Sequence, residues 1–148
     1  MFSGPEVIKE NRLKDLRIET NGCAIIDSGC ATNVCGEAWL ENYKESLTSD
    51  DKRKITEEPS NQKFTFGIGG TAQAKLRVRV PCWLNGKSGF LMTDVIENDI
   101  PLLLSRESLR RMHKILDFGA NTLSSSTGNT IVELKNTSSG HYALPLSL

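Results

Sequence analysis

An apolar segment, Cys23-Ala24-Ile25-Ile26, runs directly into Asp27-Ser28-Gly29. The apolar residues predict a buried strand, which should end here because Asp and Gly are poor strand residues. Two interpretations are open. Either Asp27 is a catalytic carboxylate at the mouth of a sheet, with Ser28 bracing a turn and Gly29 letting a substrate backbone come close. Or the tripeptide is an ordinary exit into a loop, because all three residue types are common in turns.

The composition indicates one domain that binds neither nucleic acid nor membrane. The chain has 148 residues, of which 38% are hydrophobic, and its 18 basic and 18 acidic side chains give a formal net charge of zero. Nucleic-acid binding needs a basic surface, and no apolar run approaches the length of a membrane span. The N-terminus becomes charged by Glu6, too early for a secretory signal. We therefore expect a soluble intracellular domain. Its hydrophobic fraction is on the low side, so additional burial of apolar surface by a partner subunit would be unsurprising.

The four cysteines are expected to be free, buried thiols. They are Cys23, Cys30, Cys35 and Cys82. A zinc site is the less favoured alternative, because its only candidate pair is the loose Cys30-x4-Cys35 and both histidines stand far away in sequence.

The segment before Cys23 alternates in polarity and predicts a strand over residues 13–20, preceded by an arm without a pattern. Asn21-Gly22 is a strong hairpin signal, because both residue types accept a positive φ. A strand over 13–20 should therefore pair with the strand over 23–27. Within the second strand, Cys23, Ile25 and Asp27 should share one face.

Residues 36–47 show helical spacing, with Trp39, Leu40, Tyr43 and Leu47 on one stripe. Core packing is the favoured role of this Trp and Tyr, and a ligand platform is the alternative. Residues 48–63 are polar and charged without periodicity, which is typical of a surface loop.

A glycine turn, Gly67-Ile68-Gly69-Gly70, separates Phe64-Thr65-Phe66 from an alternating arm that reaches Val80. The glycines favour a mobile hairpin, and a merely tight turn is the alternative. A phosphate-binding loop would need a helix after the glycines, whereas the pattern that follows is that of a strand.

The second half of the chain predicts further strands and one short helix. Pro81 and Cys82 should interrupt the preceding strand, and Asn85-Gly86 should turn a second hairpin. An apolar strand over 100–104 leads to Ser105, which can cap a helix beginning at Arg106. Strand patterns resume over 116–123 and 130–134, and the tail beyond is polar until a late Leu-Pro-Leu.

This order of motifs resembles the retropepsin-like aspartic proteases, a family that includes retroviral and retrotransposon proteases and related domains of ubiquitin-linked DNA-damage-inducible proteins. The resemblance covers residues 13–123. The family's catalytic Asp-Ser/Thr-Gly is matched by Asp27-Ser28-Gly29, and its glycine-rich flap by Gly67-Ile68-Gly69-Gly70. Its closing motif, two apolar residues and Gly-Arg or Gly-Asp before a helix, is approximated by Leu103-Leu104-Ser105-Arg106.

The chain departs from the family at two positions. Ser105 stands where the family has glycine, so close packing there must be arranged differently. Ala31 stands where some members have an Asp that holds the closing-motif Arg and the substrate backbone, so Arg106 needs another partner.

The resemblance implies an all-β fold with one or two short helices, a closed β-barrel that forms one lobe per subunit. It also implies an aspartic endopeptidase that is active as a homodimer, in which two Asp27 activate a water without metal or cofactor. The substrate implied by the resemblance is a peptide, with a retrotransposon polyprotein as the expected one, processed in the cytoplasm or in a virus-like particle. Catalysis would rest on Asp27, Ser28 and Gly29, and Ser105 and Arg106 would support the site. Substrate contacts are expected from Cys30, Ala31, Val34, Gly67, Ile68, Gly69 and Gly70.

The predicted organisation is an N-terminal arm over 1–12, a protease domain over 13–135 and a polar tail over 136–148 that resembles polyprotein continuing past the protease. The main alternative is a catalytically silent domain of the same fold that serves dimerisation or peptide binding. A regulatory or structural all-β module unrelated to proteases is the third hypothesis.

Overall fold

The structure, a computed structural model, describes residues 10–27, 30, 32–66, 70–84, 87–111, 114–117, 122–125, 131–138 and 140–146. These residues form mostly strands, with a few short helices, which confirms the predicted all-β class in its coarse form. The helices are α1 (Glu10–Glu19), α2 (Glu37–Glu45), α3 (Ser49–Lys52) and α4 (Arg106–Arg111). The strands are β1 (Cys23–Asp27), β2 (Val34–Gly36), β3 (Thr56–Pro59), β4 (Lys63–Phe66), β5 (Gly70–Gln73), β6 (Leu76–Leu84), β7 (Lys87–Ile96), β8 (Leu102–Ser105), β9 (Lys114–Asp117), β10 (Thr122–Ser125), β11 (Ile131–Glu133), β12 (Lys135–Asn136) and β13 (Tyr142–Pro145).

The main sheet has eight strands in the order β12-β13-β1-β8-β2-β7-β6-β3. The pairs β1–β8 and β2–β7 are parallel, and the other neighbours are antiparallel. Two smaller sheets are formed by β11-β10-β9 and by the β4–β5 hairpin. Among the described strands the main sheet stays open at β12 and β3, so the predicted closed barrel is not seen there.

The predicted strand over 13–20 is wrong, because α1 covers this segment. Leu16 and Thr20 lie four residues apart and are both buried, whereas Ile18 is 57% exposed. Thr20 donates from both its backbone N and its Oγ1 to Leu16 O, at 3.0 and 2.7 Å, which closes the last turn of the helix. Leu16 and Thr20 therefore share one face of a helix as an i, i+4 pair, although the alternating polarity of residues 13–20 is also that of a strand.

The predicted N-terminal hairpin is wrong for the same reason. Gly22 does take a positive φ of 76°, but it turns the chain from α1 into β1. The place beside β1 is occupied by β13, whose Ala143 lies opposite Ile25 in antiparallel register. β13 was not predicted from the sequence.

Two further predictions need correction. The segment 48–63 is not only a loop, because it contains α3 and the exposed strand β3, which pairs with residues 76–79 of β6. Pro81 does not interrupt β6, which runs through it to Leu84. The pairing of β3 ends at Arg79, so among the described strands β6 has only β7 beside it at Pro81, and a proline is tolerated where no partner strand needs its N–H.

The apolar core confirms the predicted helix over 36–47. Trp39 and Tyr43 on α2 are 0% and 1% exposed, and their rings stack 4.9 Å apart. Trp39 Nε1 donates to Cys23 O at 3.1 Å and Tyr43 Oη donates to Pro81 O at 2.6 Å, so both polar atoms are satisfied inside the core. This pair therefore packs α2 against one side of the sheet.

A second apolar cluster covers the other side of β1. Because side chains alternate along a strand, Ala24 joins the cluster that holds α2, whereas Cys23 and Ile25 join the second cluster. The predicted common face of Cys23 and Ile25 is thus confirmed. The remaining members of this second cluster are Leu16, Cys30, Val34, Phe64, Ala74, Ile96, Ile100, Leu103 and Ala143.

Candidate functional site

Asp27 ends a strand that lies inside the main sheet. β1 is flanked by β13 on one side and β8 on the other, and its apolar residues bury both of its faces. Asp27 itself is 5% exposed. A carboxylate at such a position loses most of its hydration, a cost that proteins accept where the carboxylate has a specific task.

The parallel pairing of β1 and β8 brings two predicted motifs together. Asp27 lies in register with Ser105, the last residue of β8, and α4 begins at the next residue, Arg106. Two motifs that are far apart in the sequence therefore meet where the adjacent interior strands β1 and β8 end.

Cys30 is the next described residue after Asp27 and is hydrogen-bonded to it. Ser28, Gly29 and Ala31, three of the predicted site residues, lie outside the described residues. Cys30 N donates to Asp27 O at 3.1 Å, and Cys30 Sγ lies 3.0 Å from Thr32 O. Burial, and secondly the negative charge of Asp27, raises the pKa of the Cys30 thiol to about 11. Cys30 is therefore a neutral thiol beside the carboxylate at physiological pH.

The four cysteines are free and buried, as predicted. Burial likewise raises the pKa of Cys23, Cys35 and Cys82. Within the described part of the chain, no group of three or more His, Cys, Asp or Glu side chains is placed to hold a metal ion.

Asn33 is a buried residue of the site that the sequence analysis missed. Its Oδ1 accepts from Ser105 N at 2.8 Å and from Ser108 Oγ at 2.9 Å, and its Nδ2 donates to Met92 O at 2.8 Å. One side chain thus ties the start of α4 and the end of β8 to β7. No local pattern marks such a residue, because its partners are about 60 to 75 positions away in sequence.

The helix cap at Ser105 is confirmed. Ser105 Oγ accepts from Ser108 N at 3.1 Å, which satisfies a free N–H in the first turn of α4. Ser105 is 1% exposed, whereas the Arg106 side chain is exposed. Among the described contacts, it is Asn33 that links this turn to β7.

The predicted glycine hairpin is present as the antiparallel pair β4–β5, in which Phe66 lies opposite Gly70. Its tip, Gly67, Ile68 and Gly69, lies outside the described residues. Phe64 is 7% exposed and packs in the same apolar cluster as Cys30 and Val34. Val34 is fully buried in that cluster. The hairpin is thus anchored, through Phe64, in the apolar cluster that also holds Ile25 and Cys30.

A second buried carboxylate, Asp94 on β7, belongs to a structural network. It is 1% exposed and accepts from Ser60 Oγ at 2.6 Å and from Arg77 Nε at 3.2 Å. Its backbone N donates to Asn33 O at 3.1 Å. A cavity of about 380 Å³ adjoins this network, and its lining includes Thr32, Asn33, Arg77, Met92, Asp94 and Ser108. Because Asp94 has charge-assisted partners on two other segments, it ties β7 to the chain before β4 and to β6.

None of the helices in the described ranges has both the length and the apolar character that crossing a bilayer requires. Comparison with known proteins adds no assignment, because no protein-family model matches the chain and no curated protein matches it either.

Proposed function

We propose that this chain is an aspartic endopeptidase of the retropepsin type, active as a homodimer on peptide or polyprotein substrates. The observation that carries the proposal is the position of Asp27. It is a nearly buried carboxylate at the end of an interior strand, in parallel register with Ser105 at the start of a short helix. This position brings together residues of the first and last motifs on which the resemblance to retropepsin-like proteases rests.

The proposed chemistry uses one Asp27 from each of two subunits. Two carboxylates held close together cannot both ionise at little cost, so the pair shares one proton. The ionised carboxylate takes a proton from a water molecule as that water attacks the peptide carbonyl, and the protonated carboxyl polarises the carbonyl. The two apparent pKa values then belong to the pair of aspartates.

The β4–β5 hairpin is proposed to cover the substrate. An extended peptide under such a hairpin can add strand-like hydrogen bonds on both sides, and closure of the hairpin excludes water from the reacting carbonyl. The anchoring of Phe64 in the apolar cluster supports this role, because it fixes the base of the hairpin while the tip carries the glycines. A retrotransposon polyprotein is the substrate that the resemblance suggests.

The test is cleavage of a mixed-sequence peptide library at mildly acidic pH and high protein concentration. We expect Asp27→Asn to lower cleavage by about three orders of magnitude or more, because the amide cannot accept the proton from water. The matched control is Asp50→Asn, which makes the same chemical change at an exposed position on α3 and should cleave like the unmodified chain. Circular dichroism establishes that both variants are folded.

Cleavage that persists in Asp27→Asn would contradict the aspartic mechanism. Absence of cleavage by a folded, dimeric unmodified chain would instead favour the catalytically silent dimerisation or peptide-binding module, an alternative to which the exposed Arg106 and the serine at position 105 lend some support.

A further inference from the structure

We propose that His141 is a positioning residue for Asp27: it faces the carboxylate across the β1–β13 pair and, when protonated, favours the ionised form of that carboxylate. The interaction between the two side chains is independent of the proposed function, whereas its role in catalysis rests on that function.

The register of β1 and β13 leads Asp27 and His141 to the same end of this strand pair. β13 is antiparallel to β1, with Cys23 opposite Pro145 and Ile25 opposite Ala143. The paired residues end at Ile25 and Ala143, and Asp27 and His141 each lie two residues beyond that pair, at the same end of the two strands. Extended over these two residues, the register sets His141 opposite Asp27. Directly opposed residues in an antiparallel pair project to the same side of the sheet and are close neighbours. Ile25 and Ala143 do so, because both belong to the same apolar cluster.

A tight turn before β13 holds His141 in place. Thr137 N donates to His141 O at 2.9 Å, and His141 N donates to Thr137 Oγ1 at 2.9 Å. Gly140, with a φ of 83°, closes the turn by donating from its N to Thr137 O at 3.0 Å. Thr137 is itself 8% exposed. The backbone of His141 is thus fixed on both sides by a buried residue, which limits the directions in which its half-buried imidazole can point.

The electrostatics agree with this geometry. Burial lowers the pKa of the His141 imidazole, and the negative charge of Asp27 acts in the opposite direction. Other titratable groups on the surrounding elements are Glu19 on α1, Lys135 on β12, Tyr142 on β13 and Cys30 after β1. Glu19 is engaged by Ser138, whose N and Oγ donate to its two carboxylate oxygens at 2.8 and 2.9 Å. The carboxylate whose charge acts on His141 is Asp27, at the end of the strand that pairs with β13.

Protonation of His141 should change the pH range of activity in a defined direction. A cation beside the aspartate pair stabilises its singly ionised, active form against protonation. Protonated His141 should therefore extend activity to lower pH. Above the pKa of His141 the imidazole is neutral and this effect disappears.

The first test measures the electrostatic interaction between Asp27 and His141 and needs no activity assay. The sequence contains only His113 and His141, so the imidazole signals can be assigned in an NMR titration with His113→Gln. We expect Asp27→Asn to move the titration midpoint of His141 to lower pH, because the carboxylate that favours the imidazolium is gone. Asp50→Asn, the control, should leave it in place. A His141 midpoint that is the same in the unmodified chain and in Asp27→Asn overturns the inference.

The second test is the pH profile of kcat/KM for His141→Gln. We expect its acid limb to lie at higher pH than that of the unmodified chain, with equal kcat/KM where His141 is neutral. A uniform loss at every pH would indicate a structural role only and would overturn the positioning role. The two proposals fail separately: a coupled His141 in a chain that cleaves no peptide contradicts the proposed function, whereas an uncoupled His141 in an active protease contradicts only this inference.

Discussion

Asn33 shows how one buried amide can join three segments of the fold, the end of β8, the first turn of α4 and β7. The side chain of Arg106 is exposed. The amide of Asn33 joins the turn between β8 and α4 to β7, through Ser105 N, Ser108 Oγ and Met92 O. An amide suits this place because it offers both a donor and an acceptor without burying a charge.

We expect Asn33→Ala to lower the free energy of unfolding by about 2–4 kcal/mol, because Ser105 N and Met92 O both lose a buried partner. Urea denaturation followed by circular dichroism measures the change. The matched control is Asn61→Ala at an exposed position, where the expected change is within about 0.5 kcal/mol. Equal effects of the two substitutions would show that the Asn33 network contributes nothing to stability.

At the scale of elements, the burial of two residues in α1 distinguishes the helix found over 13–20 from the strand predicted there. A strand would place Leu16 and Ile18 on the same face, with similar burial. In α1, Leu16 is 4% exposed and lies in the apolar cluster behind β1, while Ile18 is 57% exposed. The guanidinium of Arg17 further pairs with the carboxylate of Asp99, with Nη2 and Oδ2 3.3 Å apart. These contacts dock the helix on the sheet.

Leu16→Ala should therefore lower the free energy of unfolding by about 2–4 kcal/mol, the usual cost of truncating a buried leucine. Ile18→Ala should be neutral or slightly stabilising, within about 0.5 kcal/mol, because Ala is the better helix former and little apolar contact is lost. Thermal and urea unfolding of the two variants give the comparison. Similar losses for both would support the strand and contradict α1.

These elements also show which parts of the fold can be predicted from the sequence. The helix around Trp39 and Tyr43, the glycine hairpin and the Ser105 cap depend on neighbours within a few residues, and local patterns predict them correctly. The placement of β13 beside β1 depends on residues more than 100 positions apart. Four residues of strand carry too little periodicity to reveal that pairing.

The residues of the candidate site likewise include some that the local sequence predicts and some that it does not. Asp27 is predictable because an apolar run ending in Asp-Ser-Gly is a local signal. Asn33 is not, because it acquires its partners Ser105 and Met92 only when distant strands come together. The predicted roles of Ser28, Gly29, Ala31 and the hairpin tip stay predictions.

At the scale of the whole molecule, the proposed chemistry needs two chains. The sequence contains a single Asp-Ser-Gly, so one chain supplies one of the two carboxylates. A two-fold axis beside Asp27 would bring the second carboxylate from an identical surface of the partner. Activity should then depend on the concentration of the chain in a way that a complete single-chain site would not.

Mixing with an inactive variant measures this dependence directly. At a concentration where the chains are dimeric, adding an equal amount of Asp27→Asn should lower the cleavage rate to about half, because random exchange converts half of the unmodified chains into mixed dimers with one carboxylate. Adding the same amount of the exposed-site variant Asp50→Asn should instead double the rate. On dilution without any variant, specific activity should fall as dimers dissociate. A rate that Asp27→Asn leaves unchanged, together with constant specific activity on dilution, would show that one chain hydrolyses peptides alone and would require a second acidic group from the same chain.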